Sequence, residues 1–97
     1  IVLQDENIPV DDQVKAACEI LGLDPLYAAN EGVFMAIVSA EIADDLLKYL
    51  RTFEEAKNAS IIGEFVNDHQ GKVLITNPLG GKRVVHMPVG EQLPRIC

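Results

Sequence analysis

Val33-Phe34-Met35-Ala36-Ile37-Val38, followed by Ser39, is the stretch on which the fold turns. Six apolar residues in a row, with no charge and no alternation, suit a β-strand covered on both faces. Ser39 suits the start of a helix, because its hydroxyl can accept a hydrogen bond from a free N–H of the first turn. Ala43, Leu46, Leu47 and Leu50 then recur at i, i+3, i+4 and i+7, which predicts a helix with one apolar face. Asp44 and Lys48 predict a supporting i, i+4 ion pair on that helix.

Upstream, Ile1-Val2-Leu3 reads as the end of a strand. Pro9-Val10-Asp11 opens a first helix, with Asp11 as its N-cap and Asp12 at the positive end of the helix dipole. Val14, Ala17, Cys18 and Leu21 give it an apolar face, so Cys18 reads as a packed, unreactive core thiol. Gly22 supplies the stop, and residues 24–32 form an irregular connection. Downstream, residues 60–67, 72–76 and 83–89 read as strands, separated by turns at Gln70-Gly71 and at residues 77–81. Pro88 stands near the end of the last strand, where a lost donor matters least. The resulting order is β-α-β-α-β-β-β, an α+β sandwich related to the ferredoxin-like split βαβ unit. Residues 1–89 are expected to form an N-terminally truncated domain. Residues 90–97 have no period and contain Pro94, and read as a mobile tail able to reach roughly 25 Å.

Composition narrows the function. With 97 residues, 48% of them hydrophobic, the chain holds one small core. Twelve acids and four bases precede residue 59; three acids and four bases follow. A net charge of −7 repels phosphate backbones, and Lys82, Arg83 and Arg95 are too scattered for a basic groove, so no nucleic-acid partner is expected. No apolar run approaches the roughly 18 residues of a membrane span, and no signal peptide is expected. The opening at Ile1 without an initiator Met reads as a cut from something longer. Two cysteines and two histidines contain neither CxxC nor HxxxH, so no metal site is expected from Cys18, His69, His86 and Cys97. A reducing, cytoplasmic setting fits two unpaired thiols.

Three stretches carry a resemblance. They are Ala17-Cys18-Glu19-Ile20-Leu21-Gly22-Leu23-Asp24-Pro25-Leu26-Tyr27, then Ala29-Asn30-Glu31-Gly32, and the terminal Pro94-Arg95-Ile96-Cys97. In this order, with the last at the chain end, they resemble the HypE type of hydrogenase maturation proteins. The resemblance implies a C-terminal domain of the aminoimidazole ribonucleotide synthetase (AIR synthase) type. It also implies an upstream domain that binds ATP with magnesium and makes a homodimer. It further implies that HypF supplies a carbamoyl group to the terminal thiol, that ATP drives its dehydration to a thiocyanate, and that cyanide passes to iron held by HypC and HypD. No cofactor is expected on these 97 residues alone.

The residue types suit that chemistry. A thiolate both accepts an acyl carbon and leaves again, so one sulfur can receive and release the carbon unit. A free thiol titrates at about 8.5, and the α-carboxylate on Cys97 disfavours ionisation further, which Arg95 could offset. Dehydration needs the amide oxygen made a leaving group and a base for the nitrogen proton. The resemblance assigns that base to Glu31, within the Asn30-Glu31-Gly32 loop. Pro94 and the lack of periodicity keep the tail extended, so the thiol can visit separate donor, ATP and acceptor sites.

Each residue also has a plainer reading. Cys97 is otherwise an incidental end residue, and prenylation would need the cysteine fourth from the end. Glu31 is otherwise a solvated loop carboxylate. His69 and His86 read as turn and strand surface, Lys82 and Arg83 as edge-strand charges that discourage aggregation, and Gly80-Gly81 as a plain turn. The alternative to the enzyme is a non-catalytic, acidic α+β module that docks proteins.

Overall fold

A computed structural model of the chain describes residues 1–87. The described residues fall into two compact units. One combines Ile1–Pro9 with Ile37–His86, and the other contains Val10–Ala36.

The first unit is built on a four-stranded sheet of β1 (Val2–Gln4), β2 (Gly63–Glu64), β3 (Leu74–Thr76) and β4 (Lys82–Val84), in the order β2-β1-β3-β4. β1 runs parallel to β3, with Val2, Leu3 and Gln4 opposite Leu74, Ile75 and Thr76. A parallel pair needs a long crossover, and residues 5–73 supply it. β2 and β4 add antiparallel edges. β3 lies between two strands and carries Leu74 and Ile75, the buried residues of this unit; Ile75 is 2% exposed. Lys82 and Arg83 lie exposed on β4, an edge of the sheet, as read from the sequence.

The turns follow their chemistry. Asn77 Oδ1 accepts from the N–H groups of Leu79 and Gly81, at 3.0 and 2.9 Å, and holds the β3–β4 hairpin closed. The turn after β2 closes through Lys72 N–H to the His69 carbonyl at 3.1 Å. Ser60 donates its hydroxyl to the carbonyl of Asn7 and ties the segment leading into β2 to the one leaving β1.

The helix after Ser39 forms as expected, at Ala40–Leu50. Ser39 caps it by accepting from Glu41 N–H at 3.3 Å. Ala43, Leu46, Leu47 and Leu50 are its half-buried positions. The ion pair among the described residues is Lys57–Glu54, 3.0 Å, rather than Asp44–Lys48. Two exposed long side chains gain little from being held together, so the difference costs little.

In the second unit the first helix spans Asp12–Leu21. Gly22 ends it in a left-handed conformation, φ 69°, with Leu23 N–H returning to the Cys18 carbonyl at 2.8 Å. Asp11 precedes it but makes no side-chain cap, so the first-turn donors lack the expected carboxylate. Cys18 is buried, at 8% exposed, whereas Val14 and Leu21 on the same expected face lie in the open. Asp24 accepts from Leu26 N–H at 3.0 Å and starts a 3-10 turn at Pro25–Tyr27.

One expected strand is absent. Residues 33–38 form neither helix nor strand, and the order among the described residues is β-α-α-β-β-β. The expected β-α-β-α-β-β-β order is corrected accordingly. The run is apolar enough, but a strand needs a neighbour, and no described segment pairs with it. Val33, Phe34, Met35, Ile37 and Val38 are instead 39 to 74% exposed. Covering a side chain of this kind fully contributes about 1.5–3 kcal/mol, which this segment forgoes. The remaining strands are shorter than read: Gly63–Glu64 within residues 60–67, and Leu74–Thr76 within 72–76. The last runs Lys82–Val84, and Pro88 and Val89 lie outside the described residues.

Candidate functional site

The Asn30-Glu31-Gly32 loop follows directly from the 3-10 turn. Ala28 N–H donates to the Pro25 carbonyl at 3.2 Å, and the chain then leaves regular structure. Gly32 takes φ 76°, a left-handed conformation that costs a side-chain-bearing residue about 1–2 kcal/mol. A bend at Glu31-Gly32 results, and Asn30, Glu31 and Gly32 are all exposed. Glu31 is thus presented to solvent at a sharp change of direction, with its carboxylate open to an incoming group.

Cys18 lies in the same unit but is buried, as its place on the first helix foretold. His69 sits in the turn after β2 with φ 57°, and His86 is exposed beyond β4. Among the described residues no group of three or more His, Cys, Asp or Glu side chains could hold a metal ion. No described helix is long and apolar enough to cross a membrane. The motif residues Pro94, Arg95, Ile96 and Cys97 lie outside the described residues. What sequence reasoning missed is the exposure of residues 33–38, immediately after the loop. Their lack of alternation signalled burial and said nothing of what would bury them.

Residues 3–76 match the family described as AIR synthase related protein, C-terminal domain. The chain belongs to the AIR synthase related family. Within that family it is similar, along nearly its whole length, to proteins named HypE. It is 50% identical over 95 residues to the carbamoyl dehydratase HypE of Azotobacter vinelandii, a match covering 98% of this chain and 28% of that protein. A crystal structure of the hydrogenase maturation protein HypE in complex with ATP superimposes with a TM-score of 0.84 at 38% identity, over 99% of this chain and 30% of that one. A HypE–HypF complex gives 0.82 at 39% identity, over 90% of this chain and 28% of that one. The chain therefore spans about 28% of the length of the curated relatives it matches.

Proposed function

We propose that this chain is the C-terminal part of a carbamoyl dehydratase that makes the cyanide ligand of nickel–iron hydrogenase. The observation that carries the reading is the 50% identity to a carbamoyl dehydratase HypE across nearly the whole chain. The terminal Pro94-Arg95-Ile96-Cys97 motif supports it. In this reading residues 1–89 are the domain and residues 90–97 the tail that delivers the thiol.

The Cys97 thiol gives up its proton, and the sulfur displaces the donor's leaving group from the carbamoyl carbon to become a thiocarbamate, S–C(=O)–NH2. ATP phosphorylates the oxygen as a first nitrogen proton is lost to solvent, giving ADP and S–C(OPO3)=NH. Glu31 takes a nitrogen proton as the C–O bond breaks, phosphate leaves, and S–C≡N remains. Release of that carbon to iron as cyanide, with the sulfur leaving as thiolate, is a two-electron reduction, and the iron-bearing acceptor would supply both electrons. Glu31 is exposed at a bend, so its carboxylate is free to meet a substrate brought to it.

HypF is the proposed carbamoyl donor, supported by the complex of a similar chain with HypF. HypC with HypD is the proposed cyanide acceptor, the full-length protein a homodimer, and the cytoplasm its place of work. ATP, with magnesium, is bound mainly by the upstream domain; that a similar but longer chain is seen in complex with ATP supports the nucleotide itself. Among the described residues no group of three or more His, Cys, Asp or Glu side chains could hold magnesium.

Peptide mapping after incubating full-length protein with HypF, carbamoyl phosphate and ATP tests the assignment. An added carbamoyl or cyano mass on Cys97 is expected. The same mass on Cys18 with Cys97 untouched would overturn it, and no modification at all would favour a protein-docking module.

A further inference from the structure

Packing gives Gly32 no reason to be a glycine. A Cβ built on it would meet nothing within 4 Å, whereas one on Gly63 or Gly81 would press on β1 or on Asn77. Its distinguishing feature is φ 76°, and no other residue from 23 to 68 takes a positive φ. Among the described residues no hydrogen bond fixes Asn30, Glu31 or Gly32; the last one upstream is Ala28 N–H to the Pro25 carbonyl. Neither packing nor hydrogen bonding therefore imposes the left-handed turn. A side-chain-bearing residue would relax there to negative φ, a rotation of more than about 100° about its N–Cα bond. Glu31 is joined directly to the near side of that bond, so such a rotation changes the direction of its carboxylate relative to the chain that follows.

We infer that Gly32 is a positioning residue for dehydration: its left-handed φ aims the Glu31 carboxylate at the thiocarbamate. The inference rests on the reading of Glu31 as the base. Gly32 has no side chain to touch a reacting atom and acts through Glu31 alone. The left-handed conformation, which glycine adopts freely, becomes about 5- to 30-fold scarcer with alanine. Dehydration should slow by that factor, because only the correctly turned fraction of molecules presents the base. Carbamoylation of Cys97 makes no use of Glu31 and should not change.

Gly32→Ala, Gly32→Asn and Glu31→Gln in the full-length protein test it, with mass spectrometry of the thiocarbamate and thiocyanate forms. Gly32→Ala should form thiocarbamate at the parent rate, which also shows that it is folded, and thiocyanate about 5- to 30-fold more slowly. Gly32→Asn should restore most of the lost rate, although asparagine is bulkier than alanine, because it tolerates the left-handed conformation. On the Glu31→Gln background Gly32→Ala should cost less than about 2-fold, since the group it positions is gone. Equal slowing of both steps, or equal slowing of dehydration by alanine and asparagine, would overturn the inference. So would the same loss from Gly32→Ala on both backgrounds. If Glu31→Gln is slow while Gly32→Ala dehydrates at the parent rate, the inference falls and the reading of Glu31 stands. If Glu31→Gln itself forms thiocyanate at the normal rate, the reading of Glu31 as the base falls and takes the inference with it.

Discussion

Replacing Gly63 with alanine strikes the sheet at its tightest point. Gly63 faces Leu3 in the antiparallel β1–β2 ladder. A Cβ at this position would press on the Val2 carbonyl oxygen, with Leu3 Cδ2 at 2.9 Å and Leu3 Cα at 3.0 Å. Two of those three atoms are β1 backbone. β1 is pinned on its other side by three register pairs with β3, so it cannot withdraw without opening the centre of the sheet. Over-packing of this kind costs about 1–3 kcal/mol, and a backbone wall puts Gly63→Ala at the upper end, about 3 kcal/mol. In a domain of this size each kcal/mol moves Tm by about 4–8 °C, so a fall of about 12–24 °C is expected. Gly22→Ala is the control. Its Cβ meets no atom within 4 Å, and its cost is the left-handed φ of 69° alone, about 1 kcal/mol. Gly81→Ala should fall between the two, because its Cβ lies 2.8 Å from Asn77 Nδ2 and turning that side chain away would disturb the Oδ1 hydrogen bonds that close the hairpin. Thermal melts followed by circular dichroism give the ranking. If Gly63→Ala melted within about 4 °C of the parent, or above Gly22→Ala, the steric reasoning would be wrong.

Cys18, at 8% exposed, should resist a thiol reagent in the folded chain. A Cys97→Ala variant should therefore bind less than one equivalent quickly when native and a full equivalent when unfolded; rapid full labelling of the native variant would show that the helix does not shield it. In the full-length protein Glu31→Gln should slow dehydration by about 100- to 10,000-fold and leave carbamoylation alone, since it keeps shape but removes the base. Mass spectrometry of the thiocarbamate and thiocyanate forms separates the two steps, and normal thiocyanate formation would reduce Glu31 to a loop residue. The 97-residue chain should not bind magnesium–ATP tightly, because the sequence contains no Gly-rich phosphate loop; a strong calorimetric titration would place part of the nucleotide site here.

What was legible in the sequence was local. The helix Ala40–Leu50 carries its own cap, its own period and its own apolar face, and each needs only residues within a few positions. Gly22 and Asn77 announced their turns for the same reason: a left-handed residue and an Asx-type acceptor act on the chain beside them. A strand is different, because it is a relation between two segments. The pattern at residues 33–38 states what the segment would bury and is silent on its neighbour, so it read as a central strand although no described residue pairs with it. The first helix shows the same limit in milder form. Its period named a face, but Cys18 is covered and Leu21 is not, since coverage depends on what lies opposite. The candidate site obeys this rule too. As an exposed carboxylate at a bend, Glu31 is chemically one of many acids on this chain, and nothing in its exposure marks it as a base. What would make it one is a thiocarbamate brought within reach by the cysteine at position 97, far along the sequence. A motif records such a meeting because it preserves both ends of it, whereas spacing and period describe only one end at a time. The chemistry of this chain is therefore easiest to read where its segments must be joined, and its secondary structure where they need not be.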